Sequence, residues 1–276
     1  MGFVISVVNE KGGVGKTTCT YNLAVALARE QRRVLMIDLD HQCSLTLCCG
    51  YKPDLEEFNG YNVINLWGKD SDMVDESYFT IDSIDDYCIG HPSDPQIQEN
   101  IFLVPGSLQM AEVETRLYTM PGIRDTFIDN VKFLSKKFHY ILIDCPPALN
   151  IPMTTALITS DGVIIPVRPE ALDYFGLQAM DRTISAVRDN LNPELTVIGT
   201  ILNLYRANVN THKDYYNKLS EDPDRELLGV IRESTLVTKG FEAGLPVVLT
   251  SPSCQPTQSF NEIARKILNT NFEREG

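Results

Sequence analysis

Phe3-Val-Ile-Ser-Val-Val-Asn9-Glu10-Lys11-Gly12-Gly13-Val14-Gly15-Lys16-Thr17-Thr18 sets an apolar run against a glycine-rich turn. The run from Phe3 to Asn9 predicts a buried strand. Residues 16–31, with Leu23, Leu27 and several alanines on one side, predict a helix. A glycine-rich turn between strand and helix suits a phosphate group. Glycines let the backbone wrap close to phosphate oxygens and point successive N–H groups inward. The helix N-terminus adds partial positive charge. Lys16 is then placed to reach the β- and γ-phosphates, and Thr17 to offer its hydroxyl to Mg²⁺. Gly12, Gly13, Val14, Gly15 and Thr18 complete the cradle.

Outward from this turn, apolar runs alternate with helical periods. Further strands are expected at 33–38, 101–104, 140–143, 162–167, 196–202 and 227–231. Further helices are expected at 122–138, 174–190 and 257–272. The strands read as continuous β-branched runs, so both of their faces are covered. The fold class expected is therefore α/β: a doubly wound, mostly parallel sheet with helices on both faces. Residues 1–276 read as a single domain. Residues 53–100, with Pro92 and Pro95 and no clear period, read as a surface insertion bearing short helices.

Composition narrows the functional classes. The chain has 276 residues, 43% of them hydrophobic and 22% charged, which excludes a disordered chain. No apolar run is long enough to cross a membrane, and no secretory signal opens the sequence. The seven cysteines are odd in number and contain no Cys-x-x-Cys pair, so neither a disulfide framework nor a zinc site is expected. A reducing cytoplasm is the natural compartment. The net charge of −13 argues against a polyanionic partner. Its distribution weakens that objection: residues 53–100 hold 12 acids and one base, so the remainder is nearly neutral.

The turn departs from the usual phosphate loop. Glu10 stands where a glycine is normal, and a second lysine, Lys11, follows it. The string Lys11-Gly-Gly-Val-Gly-Lys-Thr-Thr18 resembles the deviant P-loop of the ParA/MinD family of ATPases. The likeness runs through nearly the whole chain. Asp38-Leu-Asp40-His41-Gln42 resembles the family's Asp-x-Asp-Pro-Gln, with histidine in place of proline. Asp144-Cys145-Pro146-Pro147, at the end of an apolar strand, is a Walker B arrangement in which Asp144 holds Mg²⁺. Val104-Pro105-Gly106-Ser107, Ile165-Pro166-Val167-Arg168-Pro169-Glu170 and Glu242-Ala-Gly-Leu-Pro246 look like ParA-type partition ATPases.

The resemblance implies specific roles. Lys11 would cross into a neighbouring subunit and touch its phosphates, so that ATP is sandwiched in a homodimer. Asp38 would lie near the metal, and Asp40 would orient or deprotonate the attacking water. Asn203, after the sixth strand, would read the adenine edge. Cys145 is read as packing. The expected function is a slow, partner-stimulated ATP hydrolase that binds nonspecific DNA as an ATP dimer. It would position plasmid or chromosomal DNA with a ParB-type centromere-binding partner. Its place would be the cytoplasm, on the nucleoid when ATP-bound.

Candidate phosphate-backbone contacts on DNA are Arg232, Lys239, Arg265 and Lys266, with Arg206 and Lys213 behind them. The alternative is a MinD-like or cargo-positioning ATPase acting on a protein assembly or membrane surface. The tail from Asn271 to Gly276 is short and acidic, so no stable membrane anchor is expected. Adjacent Cys48 and Cys49 do not match an iron–sulfur pattern and are read as packing.

Overall fold

The computed structural model describes residues 1–53, 62–68, 97, 99–118 and 122–270. Among the described residues, seven strands arise where the sequence is largely apolar. They are β1 (Phe3–Val7), β2 (Val34–Asp38), β3 (Ile101–Val104), β4 (Tyr140–Asp144), β5 (Gly162–Val167), β6 (Thr196–Tyr205) and β7 (Leu227–Arg232). They form one sheet in the order β3-β2-β4-β1-β5-β6-β7. Every pairing is parallel, so the sheet is parallel throughout rather than mostly.

The helices are α1 (Lys16–Arg29), α2 (Ser44–Cys48), α3 (Met110–Leu117), α4 (Ile123–Leu134), α5 (Ile151–Thr159), α6 (Ala171–Asn190), α7 (Asn210–Ser220), α8 (Thr235–Glu242), α9 (Val247–Thr250) and α10 (Gln255–Asn269). A 3₁₀ helix spans Val63–Trp67. Alternate strand residues feed two separate cores. Leu35, Ile37, Ile141 and Ile143 face a layer that includes Val113, Phe127, Leu157 and Leu177. Met36, Leu142 and Ile164 face Leu23, Leu27, Phe260 and Ile263. The period-2 geometry of a strand thus sends neighbouring residues into opposite layers.

The helices not expected from the sequence include α3, α5, α7 and α8. α5 is apolar nearly all round and buried, so no period marks it. Its start is set by Asn150, whose side chain accepts from the Met153 N–H. α7 buries only Leu219, and α3 and α8 are short, at eight residues each. α1 stops at Arg29, because Gln31 adopts a left-handed φ of 57°.

Two expectations are corrected. The stretch 53–100 was expected on the surface, yet Val63, Ile64, Leu66 and Trp67 are buried. Trp67 packs on Phe127 with ring centroids 4.5 Å apart. The apolar Val-Ile-Asn-Leu-Trp string outweighs its acidic surroundings there, because burying its area is favourable. Most of the acidic segment, and the tail 271–276, lie outside the described residues. In addition, β6 does not end before Asn203. It continues to Tyr205 through an irregularity at Asn203 and Leu204, where Leu204 has a φ of 55°.

Candidate active site

The C-terminal ends of β1, β2 and β4 lie side by side, and the residues that follow them build the site. Asp38 and Asp144 are register partners on β2 and β4, and Val7 of β1 pairs with Asp144. Between β1 and α1 the backbone turns through Gly13 (φ 73°) and Gly15 (φ 92°). An added Cβ on Gly12 or Gly13 would meet nothing within 4 Å, so both glycines border open space. A Cβ on Gly15 would lie 2.1 Å from Asn203 Nδ2. Glycine is therefore required at position 15 both by φ and by space.

Asn203 is the prop of this loop. Its Nδ2 donates to the Val14 carbonyl at 2.8 Å, and the residue is buried. It also lines the crevice beside the loop. Asn9 ties the other flank: its Nδ2 donates to Pro166 O and its Oδ1 accepts from Lys11 N.

Lys16 is buried, and its Nζ donates to Asn9 O at 3.1 Å and Lys11 O at 3.0 Å. Burial pulls its pKa below the usual ammonium range, against the opposing pull of Asp144. Thr17 Oγ1 donates to Asp144 Oδ2 at 2.7 Å. Burial and the nearby Asp38 charge push Asp144 up to about 8. Burial pushes Asp38 up to about 7, although Thr46 donates to it through both N and Oγ1. The Thr46 hydroxyl accepts in turn from Gly106 N at 2.7 Å. Thr46 and Gly106 thus clamp Asp38, a role that no spacing in the sequence signals.

Asp40 Oδ1 accepts from Gln42 N at 3.0 Å, which fixes the turn after β2. The same residue lines the crevice, so capping and an open position coexist. His41 lies 3.6 Å from Asp40 and is partly exposed.

The donors present fit a divalent cation with a polyphosphate. Among the described residues, Asp38 Oδ1 is buried with no hydrogen-bond partner. Two buried carboxylates share one site with a hydroxyl, and their raised pKa values express unmet negative charge. Thr17, Asp38 and Asp144 are the side chains that would hold Mg²⁺. The crevice encloses about 560 Å³, reaching from Gly12, Lys16 and Thr17 past Asn203 to Val237 and Pro246. Burial pushes the thiols of Cys145, Cys19, Cys48 and Cys49 up, so these cysteines are packing residues.

Lys11 lies at the rim of this site, and its Nζ pairs with Asp173 Oδ1 of α6 at 2.9 Å. The candidate DNA contacts separate into two groups. Lys266 pairs with Glu226 at 3.1 Å and Arg265 with Glu30 at 3.8 Å. Arg206 pairs with Glu233. Exposed Arg232 and Lys239 form no ion pair among the described residues, and neither does Lys213. Arg232 also borders the crevice.

Known proteins are similar to this chain. A family model described as an AAA domain matches residues 2–197. The sporulation initiation inhibitor protein Soj of Bacillus subtilis is 28% identical, over 97% of this chain and 98% of its own length. The chromosome partitioning protein ParA of Caulobacter vibrioides is 29% identical, over 99% of this chain and 96% of its own. The structure of the septum site-determining protein MinD of Pyrococcus horikoshii, complexed with Mg-ADP, is similar with a TM-score of 0.70 and 26% identity. It covers 97% of this chain and 96% of that one. Among the described residues, no helix is long and apolar enough to cross a membrane.

Proposed function

Since the chain belongs to the AAA-domain family, in its ParA/MinD group of P-loop ATPases, we propose that it is a ParA-type partition ATPase. It binds Mg-ATP, forms a nucleotide-sandwich homodimer and hydrolyses ATP slowly. The dimer binds nonspecific DNA, and a ParB-type partner stimulates hydrolysis and release. The observation that carries this reading is that Lys16, Thr17 and Asp40 line one crevice, with Asp144 bonded to Thr17, Asp38 in register beside Asp144, and a second lysine next to the glycines of the loop.

Each residue has a task that its position suits. The glycine-rich loop offers backbone N–H groups to phosphate, and Asn203 holds that loop in shape. Lys16 leaves its two carbonyl acceptors and meets the β- and γ-phosphates. Thr17, Asp38 and Asp144 hold Mg²⁺, which supplies positive charge against the phosphate oxygens when bound. Asp40, anchored by Gln42, orients or deprotonates the attacking water. Lys11 completes the charge balance across the dimer, which couples nucleotide state to association.

The test is Asp40→Ala, which should bind ATP, fail to hydrolyse it and accumulate as a dimer. Sedimentation in Mg-ATP reads this directly. A protein that stays monomeric at every concentration would sink the sandwich reading.

A further inference from the structure

The N-terminal edge of the sheet, away from the crevice, holds a cavity of about 660 Å³. β1 and β4 start there, with Phe3 and Tyr140 in register, and run from it toward the phosphate loop and Asp144. Its walls are tied together by backbone. The Gly2 N–H donates to Ser135 O at 2.6 Å, and the Phe3 N–H to His139 O at 2.9 Å. A Cβ on Gly2 would lie 1.9 Å from Phe138 O, so glycine is what lets the chain pass this close. Half-buried Phe3, Tyr140 and Leu268 give the cavity apolar walls.

The charged lining has one sign. Arg32, Lys136 and Lys137 border the cavity, and among the described residues no carboxylate does, in a chain of net charge −13. Arg32 and Lys136 are exposed and form no ion pair among the described residues. Like charges at one opening repel, and an anion between them relieves the repulsion. His139, in the same lining, registers that field: burial, then Arg32 and Arg33, pulls its pKa below the usual histidine value. Its Nδ1 accepts from the Arg33 N–H at 2.8 Å, so the neutral ring carries its proton on Nε2 and keeps a donor there. The planar fork of an arginine matches phosphate oxygens. A bare inorganic ion would leave the apolar walls unused, and a cavity of this volume suits an organic ligand.

We propose that this cavity binds a phosphate monoester of an aromatic or apolar group, a ligand of mononucleotide size. Arg32 and Lys136 take the phosphate, and Phe3, Tyr140 and Leu268 border the organic part. The site goes beyond the partition reading and does not depend on it. In open parallel sheets the nucleotide crevice lies outside the C-terminal ends of the strands, whereas this cavity lies at their starts.

The test titrates phenyl phosphate, and inorganic phosphate beside it, into the full chain. Binding is read from the imidazole NMR resonances of His139, assigned by their loss in His139→Gln. Phenyl phosphate should shift them saturably, with half-saturation below about 1 mM. Inorganic phosphate should bind at least about 3-fold more weakly, because it leaves the apolar walls bare. Arg32→Gln/Lys136→Gln should weaken phenyl phosphate at least about 10-fold. Both side chains are exposed, so the fold does not need them. Arg182→Gln/Lys218→Gln removes the same charge elsewhere on the surface and should change the affinity by less than about 2-fold. Repeated in Lys16→Ala, which removes the phosphate cation of the crevice, the titration should be unchanged. The proposal is overturned by the lack of a saturable shift, by equal affinity for inorganic phosphate, by equal losses in the two double variants, or by loss of the shift in Lys16→Ala. A short DNA duplex that moves His139 where phenyl phosphate does not would assign the cations to nucleic acid and overturn it equally.

Discussion

At the scale of single residues, Lys16 carries a heavy electrostatic demand. It is a buried ammonium among Asp144, Asp40 and two backbone carbonyls. Lys16→Ala removes the cation placed for the phosphates. ATP affinity by calorimetry should fall on the order of 100-fold or more, about 2.7 kcal/mol. His139 shows the opposite case, a side chain kept neutral. Burial, then Arg32 and Arg33, pulls its pKa below the usual histidine value. Its Nδ1 accepts from the Arg33 N–H at 2.8 Å, which protonation would prevent. A histidine whose folded pKa is depressed binds fewer protons folded than unfolded, so its contribution rises with pH. Wild type should therefore lose stability relative to His139→Gln as pH falls through the unfolded value of about 6.5. Denaturant midpoints for both proteins at pH 5 and pH 7.5 check this, and a parallel shift in the two would refute it.

At the scale of elements, α10 shows how a helix earns its place through one face. Phe260, Ile263, Ala264 and Ile267 are wholly buried against the sheet and α1, while Arg265 and Lys266 face outward. Phe260→Ala should cost about 3–5 kcal/mol in urea unfolding, with the slope unchanged. Gly15→Ala acts instead on the joint between β1 and α1. A left-handed φ of 92° and a Cβ 2.1 Å from Asn203 Nδ2 leave that side chain no room. The loop should lose nucleotide binding while β1 and α1 remain folded, which circular dichroism beside nucleotide titration would show.

At the scale of the whole molecule, charge distribution matters more than net charge. A chain of net charge −13 can still offer a basic face if its acids lie elsewhere or are already paired. Glu233 sits in the same stretch as Arg232 and Lys239, but Arg206 already pairs with it. Arg265 and Lys266 spend part of their field on Glu30 and Glu226. If DNA binds, Arg232 and Lys239 should carry its phosphate contacts. Removing both should reduce the slope of log affinity against log salt by about 1.8, that is about 0.9 per phosphate contact. Removing Arg265 and Lys266 should change it less. Equal changes in the two double variants would show that local pairing does not select the contacts.

The strand β1, the glycine turn and α1 were legible because periodicity, glycine spacing and helix start fall in one short segment. So were the seven strands, whose doubly covered faces demand unbroken apolar runs. Lys16, Thr17, Asp38, Asp40 and Asp144 were legible because they follow strand ends, and the parallel sheet brings those ends together. Local sequence did not reveal Thr46 beneath Asp38, Asn203 against Val14 and Gly15, or Asp173 beneath Lys11. The last two join residues 189 and 162 positions apart, and all three depend on how α2, the start of α6 and the irregular end of β6 pack. Sequence pattern settles which segments bury their faces, because burial follows the period of each element. Tertiary structure alone decides which polar groups meet at the strand ends, because hydrogen bonds and ion pairs need atoms within about 3–4 Å, which no spacing along the chain prescribes.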